Sequence, residues 1–287
     1  MMSSPSDGLI TALDHIVLLC SDFERDVDTY SHIMGFSPDW VAEGDGQKTA
    51  TFQTGNTALE LLAPLGEGGR AKRIKDLMDN GVRLASLVYR TQQVEEAHRL
   101  LGRRGLSPSE LSAQKSEDIR TGQIRAWTRF RLDTSAMAGI SSFVLEPTRV
   151  PAAADRAEGS VKELDHLVIQ TPNPERAVAT YGGRLGLRLA LDRTETRWDT
   201  RFLFFRLGGL TIEIIQRLSE RRPSADPDHL WGLTWGTDNL EICHDRLKKT
   251  GADISDIRRG RKPGTRIFTL RDRNLGVPTL FIEQGSR

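Results

Sequence analysis

The sequence predicts an α+β protein built from four βαβββ units arranged in two pairs, and three observations carry that prediction. Leu13-Asp14-His15-Ile16-Val17 returns as Leu164-Asp165-His166-Leu167-Val168, an offset of 151 residues, and in the same register Tyr30 matches Tyr181 and Gly35 matches Gly186. Agreement sustained from residue 13 to residue 35 marks a duplication. Residues 93–100 resemble 239–246, and Gly105 then matches Gly251, at an offset of 146. Each unit also reads as one strand, one helix and further strands.

The elements follow in order. Residues 16–20 form a short branched apolar run, the mark of a buried strand. Ser21 and Asp22 suit a helix N-cap before residues 23–33, where Val27, Tyr30 and Ile33 or Met34 share one face. Gly35 is placed as a C-cap glycine. Three strand-like stretches follow at 38–42, 49–54 and 58–63, with glycine-rich turns between them. The unit beginning at Leu164 repeats the plan, with a helix over 174–185 and strands over 188–192, 200–207 and 210–216. The other two units run from about 83 to 147 and from about 229 to 284. Residues 149–162 contain Pro151, four alanines and Gly159 and suit an exposed linker. The expected division is 9–148, a linker at 149–162, and 163–287.

Composition excludes several function classes. The 287 residues carry 40 Lys+Arg against 39 Asp+Glu, a net charge of +1. That balance argues against a nucleic-acid footprint, a polybasic membrane anchor or an acidic tail. Cys20 and Cys243 are too few for a disulfide framework or a zinc ribbon and read as core residues. No apolar run approaches membrane-spanning length, and the polar N-terminus lacks a signal pattern. A cytoplasmic location is the expectation.

Together, the Leu-Asp-His openings, the helices ending Tyr30…Met34-Gly35-Phe36 and Tyr181…Leu185-Gly186-Leu187, and a carboxylate in each last strand resemble the vicinal oxygen chelate superfamily. That superfamily includes glyoxalase I, methylmalonyl-CoA epimerase, fosfomycin and bleomycin resistance proteins, and extradiol dioxygenases. The resemblance covers about residues 11–285. It implies that each pair of units curls into an open, cup-shaped mixed sheet with helices outside. It further implies that metal ligands project into the cup from the first and last strands.

The carboxylates in question are Glu60, Glu146, Glu213 and Glu283, each alone in an apolar strand. Burying a lone carboxylate costs several kcal/mol unless it is paired or coordinated. An edge strand with one wet face is the alternative. In the second half His166, Glu213, His229 and Glu283 make a set of two imidazoles and two carboxylates, which resembles bacterial glyoxalase I. Such a set suits a five- or six-coordinate divalent ion. His229 stands nine residues before Asp238, whereas His166 stands seven before Asn173, so the ligand register would fall on Trp231. The two-residue difference keeps His229 on the same strand face; a place in the preceding loop is the competing reading. The first half has His15, Glu60 and Glu146, but the matching stretch 83–87 has no histidine. A decayed copy kept for packing is the expectation there, with these three as weaker metal candidates.

The remaining candidates read as structure. His32, His98 and His244 suit solvated helix faces. The basic run 258–262 suits an exposed loop or the approach of an anionic substrate. Trp127, Trp198, Trp231 and Trp235 suit core or pocket wall.

Three functions follow from the resemblance. The first is a glyoxalase-I-like lyase or isomerase in which one divalent ion (Zn, Ni or Mn) stabilises an enediolate or oxyanion and Glu213 or Glu283 serves as base. The second is an Fe(II) extradiol dioxygenase using His166, His229 and Glu283. The third is a metal-free small-molecule binding protein of the resistance type. The expected partner is a small-molecule substrate, not nucleic acid or membrane, and a homodimer is left open.

Overall fold

The computed structural model describes residues 8–151, 154–219, 225–271 and 276–285. The first half holds β1 (Ala12–Leu19), α1 (Phe23–Met34), β2 (Trp40–Gly44), β3 (Gln47–Gln53), β4 (Ala58–Pro64) and α2 (Gly69–Asp79), then β5 (Leu84–Arg90), α3 (Val94–Arg103), β6 (Ser112–Glu117), β7 (Ile124–Leu132) and β8 (Ser142–Pro147). The second holds β9 (Val161–Gln170) and α4, which opens at Pro174–Ala177 and continues as a π-helix over Val178–Arg184. Next come β10 (Arg188–Glu195), β11 (Thr200–Leu207), β12 (Leu210–Arg217), β13 (His229–Thr237), α5 (Leu240–Lys249), β14 (Arg258–Arg259), β15 (Thr265–Leu270) and β16 (Thr279–Gln284).

Each half is one eight-stranded mixed sheet, ordered β2-β3-β4-β1-β5-β8-β7-β6 and β10-β11-β12-β9-β13-β16-β15-β14. The two orders are identical once the duplication is allowed for, and they join two four-stranded units through the antiparallel pairs β1–β5 and β9–β13. This is the α+β arrangement of four βαβββ units that the repeat predicts.

The helix ends form as the local sequence dictates. Asp22 accepts from the Arg25 N–H at 3.3 Å, and Gly35 takes the left-handed conformation, φ 83°, that closes α1. One apolar core spans both halves behind the sheets, packing Tyr30, Met34 and Leu13 with Leu164, Tyr181, Trp235 and Phe281. The Asn56 amide donates to the Leu164 carbonyl at 2.8 Å and accepts from its N–H at 2.9 Å, so the two first strands are tied across the duplication.

Three features depart from the expectation. Helix α2 is an addition to the first half, and it packs Ile74 and Met78 on Val17, Leu19 and Leu62, filling one end of the first cup. The linker is anchored, since the Arg156 guanidinium meets both oxygens of Asp39 at 2.6 and 2.7 Å and lies 3.8 Å over Phe36. The strand β9 already begins at Val161, inside the expected linker.

The first sheet nearly closes on itself. Its edge strands β2 and β6 meet where Trp40 Nε1 donates to Ser116 at 2.9 Å and buried Asp118 accepts from the Val41 N–H at 3.0 Å. The Ile119 N–H donates back to the Val41 carbonyl at 2.9 Å. This seam turns the first cup into a barrel-like enclosure.

Candidate functional site

The two Leu-Asp-His segments build the same small constellation, and a β-bulge is the reason. Asp14 falls at a register shift between Leu13 and His15 in the β1–β5 ladder. An inserted residue bends the strand and re-aims the side chains beside it, so Asp14 and His15 both line the cup. His15 Nδ1 donates to Asp14 Oδ1 at 2.8 Å, which leaves Nε2 facing Glu60 Oε1 at 4.0 Å. Asp14 also accepts from Arg90 Nε at 2.8 Å. In the second half His166 Nδ1 donates to Asp165 Oδ1 at 2.7 Å, and Nε2 faces Glu213 Oε2 at 3.4 Å. With Nδ1 protonated, a neutral His166 presents Nε2 as an acceptor, and the Thr234 hydroxyl stands 2.9 Å from it.

The electrostatics of the two pairs differ. Burial alone would lower the pKa of His15, but the charge of Glu60 and the hydrogen bond to Asp14 outweigh it and raise it. Burial likewise pushes Asp14 up, yet His15 and Arg90 bring it below its ordinary value. The first cup therefore favours an imidazolium between two carboxylates. In the second cup burial pushes the Glu213 carboxyl up, against the pull of His166 and Arg261.

The expected four-ligand set is not gathered. The pairing register locates the reason at the strand positions related to His166 and Glu213 by the pseudo-two-fold between units. His166 faces Thr234 and Val168 faces Gly232, so Gly232 is the counterpart of His166; neither Trp231 nor His229 holds that position. Glu213 pairs with Val168 and Leu280 with Thr234, so Leu280 is the counterpart of Glu213. His229 sits at the far end of β13, opposite Gln170 and exposed. Five residues of strand, about 16 Å, separate it from Thr234. Glu283 lies three positions beyond Leu280 and so points to the other side of the sheet. There it accepts from the Leu240 N–H at 2.7 Å, at the start of α5, and from Arg266 at 2.7 Å.

The first half repeats this exchange. Ser86 and Phe143 are the counterparts of His15 and Glu60. Glu146 points away from the cup and accepts from the Val94 N–H at 2.9 Å, at the start of α3. The four last-strand glutamates thus divide by face. Glu60 and Glu213 enter the cups, whereas Glu146 and Glu283 cap helices. Among the described residues no group of three or more His, Cys, Asp or Glu side chains is placed to hold a metal ion. Catalytic zinc sites take three protein ligands, and each cup supplies one imidazole facing one carboxylate. The donor set does not fit the divalent ion that the resemblance implies, nor the His166, His229, Glu283 triad of a dioxygenase.

The first cup, expected to be the decayed copy, encloses a cavity of about 560 Å³. Its floor carries Asp14, His15 and Glu60. Its walls carry Trp40, Trp127, Arg125 and Arg129. The sequence reading missed both arginines, although their alternation around Trp127 in β7 was the available signal.

The other candidates have structural duties. His98 Nε2 donates to the Ser109 carbonyl at 2.9 Å and His244 Nε2 to the Ser255 carbonyl at 3.2 Å, each edge-on to a phenylalanine. They clamp loops and are half-buried, not solvated as expected. Cys20 and Cys243 are buried, and burial pushes their thiols up to about 12 and about 11. Trp235 is core, while Trp198 lies under Arg261 at 4.0 Å. No helix among the described residues is long and apolar enough to cross a membrane.

Solved structures share the whole architecture. A mutant of 4-hydroxymandelate synthase from Streptomyces coelicolor superposes with TM-score 0.71 at 14% identity, over 97% of this chain and 94% of that one. The Mn(II)-bound glyoxalase from Novosphingobium aromaticivorans gives 0.64 at 15% identity, over 96% and 83%. A halotolerant catechol dioxygenase gives 0.61 at 10% identity, over 96% and 88%. At such identities the likeness is one of fold. A search of curated protein sequences gives no match. Two family models described as "Glyoxalase/Bleomycin resistance protein/Dioxygenase superfamily" match residues 12–158 and 165–269. With both halves matched, and with the paired βαβββ sheets observed, the chain belongs to the glyoxalase/bleomycin resistance/dioxygenase superfamily, the vicinal oxygen chelate fold.

Proposed function

We propose that this protein is a lyase or isomerase that moves a proton on a small oxygenated molecule bound in the first cup, with His15 and Glu60 as the acid–base pair. The observation that supports it is the Asp14–His15–Glu60 chain on the floor of an enclosed cavity. Asp14 fixes the imidazole, so Nε2 meets the cavity. An imidazole whose protonated form is favoured by Glu60 and Asp14, with a carboxylate facing it, can serve as general acid and general base for one substrate. The glyoxalase-like outcome expected from the sequence is retained in its proton-transfer chemistry. Its metal is not, because the counterpart positions Ser86 and Phe143, and Gly232 and Leu280, bring no further imidazole or carboxylate.

The test is elemental analysis of protein purified without added metal, paired with turnover of oxygenated substrates by Glu60→Gln and His15→Gln. Substoichiometric metal and loss of turnover in both variants are expected. One tightly held equivalent of zinc, nickel, manganese or iron, lost on His15→Gln or His166→Ala, would restore the metal-dependent reading. The substitution of both ligand counterparts in each cup also favours a second reading, a binding protein without chemistry. Ligand binding with no turnover in the native chain would select it.

A further inference from the structure

We propose that the first cup is built for a small organic carboxylate, anchored at Arg129 beside the His15–Glu60 pair, with Arg125 as a second cation further along the same strand. The inference deepens the proposed function by naming the substrate class and rests on that reading only for the choice of cup. Arg125, Trp127 and Arg129 alternate on the cup-facing side of β7, and all three line the cavity. Both arginines are half-buried, yet neither guanidinium makes a hydrogen bond or ion pair with the described residues. Each lies instead against an aromatic ring, Arg125 at 4.0 Å from Trp40 and Arg129 at 5.2 Å from Phe143.

A half-desolvated guanidinium that no carboxylate pairs directly is costly. Asp39, Asp118 and Asp14 act on Arg125, and Glu60 and Asp45 on Arg129, only from a distance, whereas a bound carboxylate satisfies the planar fork with two parallel hydrogen bonds. Burial lowers the pKa of both, Arg129 further through neighbouring Arg70. Most acids of the lining are already committed. Asp14 serves His15 and Arg90, Glu43 meets Lys48 at 3.1 Å, and Asp45 meets Arg70 at 3.6 Å. Arg129 is close enough for Glu60 to act on it and for it to act on His15. An anion bound there stands next to the acid–base pair. Trp127, placed between the arginines, and Trp40 across the cup give apolar faces for the rest of the molecule, and 560 Å³ is the size of a small-ligand pocket.

The experiment is calorimetric titration of the full chain with pyruvate, benzoate and phthalate, each against its neutral amide, supported by tryptophan fluorescence. At least one carboxylate is expected to bind tenfold or more tightly than its amide, and to weaken as sodium chloride is raised. Arg129→Gln and Arg125→Gln are each expected to cost at least tenfold. If Arg129→Gln does not fold, Arg129→Lys tests the same point, because a point charge loses the two-bond geometry. Amides that bind as well as the acids, or folded arginine variants within twofold of the native affinity, overturn the proposal. Carboxylate binding without turnover would instead leave the anion site standing and remove the proton-transfer reading.

Discussion

The carboxylate of Glu283 accepts the backbone N–H of Leu240 at 2.7 Å, so the last strand of the second sheet caps the helix that follows its fifth strand. Glu146 does the same for Val94 at 2.9 Å. The first backbone donors of a helix have no partner within it, and a negative charge there also meets the positive end of the helix dipole. Glu283→Ala and Glu146→Ala should therefore each lower stability by about 1–2 kcal/mol. Denaturant unfolding should report that loss with ligand affinity in the first cup unchanged. A change in metal content with unaltered stability would return Glu283 to the role of ligand.

The fold was legible because it is written twice. His15 and His166, Tyr30 and Tyr181, Gly35 and Gly186 give the register of the duplication, and branched apolar runs give the strands. The site was legible only in part. His15, Glu60, His166 and Glu213 lie on the cup faces as their motifs imply, but Glu146 and Glu283 look the same in sequence and sit an odd number of positions away from the cup-facing register. Side chains alternate along a strand, so this parity decides which face a residue takes. Parity depends on the pairing with β5 and β13, whose bulges at Leu13/His15 and Thr234/Trp235 no composition reveals. Helix α2 escaped notice for another reason. Its 11 residues are mostly charged, and only Ala71 and Ile74 are buried.

Gly232 holds the position that a second histidine would need. A Cβ there would stand 2.8 Å from the carbonyl oxygen of Pro278, a backbone atom that cannot swing aside. Gly232→Ala should cost about 1–3 kcal/mol as overpacking, read by thermal or denaturant unfolding. Gly232→His should destabilise at least as much and gather no metal. A stable Gly232→His that binds one equivalent of zinc would show that the strand gives way and that the ligand set is recoverable.

Glu213 supplies a pH test. Its carboxyl is raised above its ordinary value of 4.5 because burial disfavours the charge. The unfolded chain therefore releases this proton first, and folded stability falls as pH rises from about 4.5 through the raised value. Glu213→Gln removes the titration. Its stability relative to the native chain should grow across that window and level off above it, in unfolding curves taken at several pH values. An advantage that shrinks as pH rises would mean that the carboxylate is stabilised in its charged form, by His166 or by a bound cation.

The enclosure of the first cup hangs on Asp118. Its carboxylate accepts from the Val41 N–H at 3.0 Å, from the Thr121 hydroxyl at 2.7 Å and from Arg120 at 3.2 Å, and it joins the sheet edges β2 and β6. These bonds hold Asp118 below its ordinary pKa although burial pushes the other way. Asp118→Ala leaves the half-buried Val41 N–H without its acceptor and frees Thr121 and Arg120, a loss of about 1–2 kcal/mol. Hydrogen exchange should quicken at Val41 and Ile119 while β9 and β12 keep their protection. Carboxylate binding should weaken together with the seam, because Trp40, which carries Arg125 on its ring, is fastened to β6 through Ser116. Unchanged exchange at Val41 would mean that the Ile119–Val41 backbone bond closes the barrel without help from the side chain.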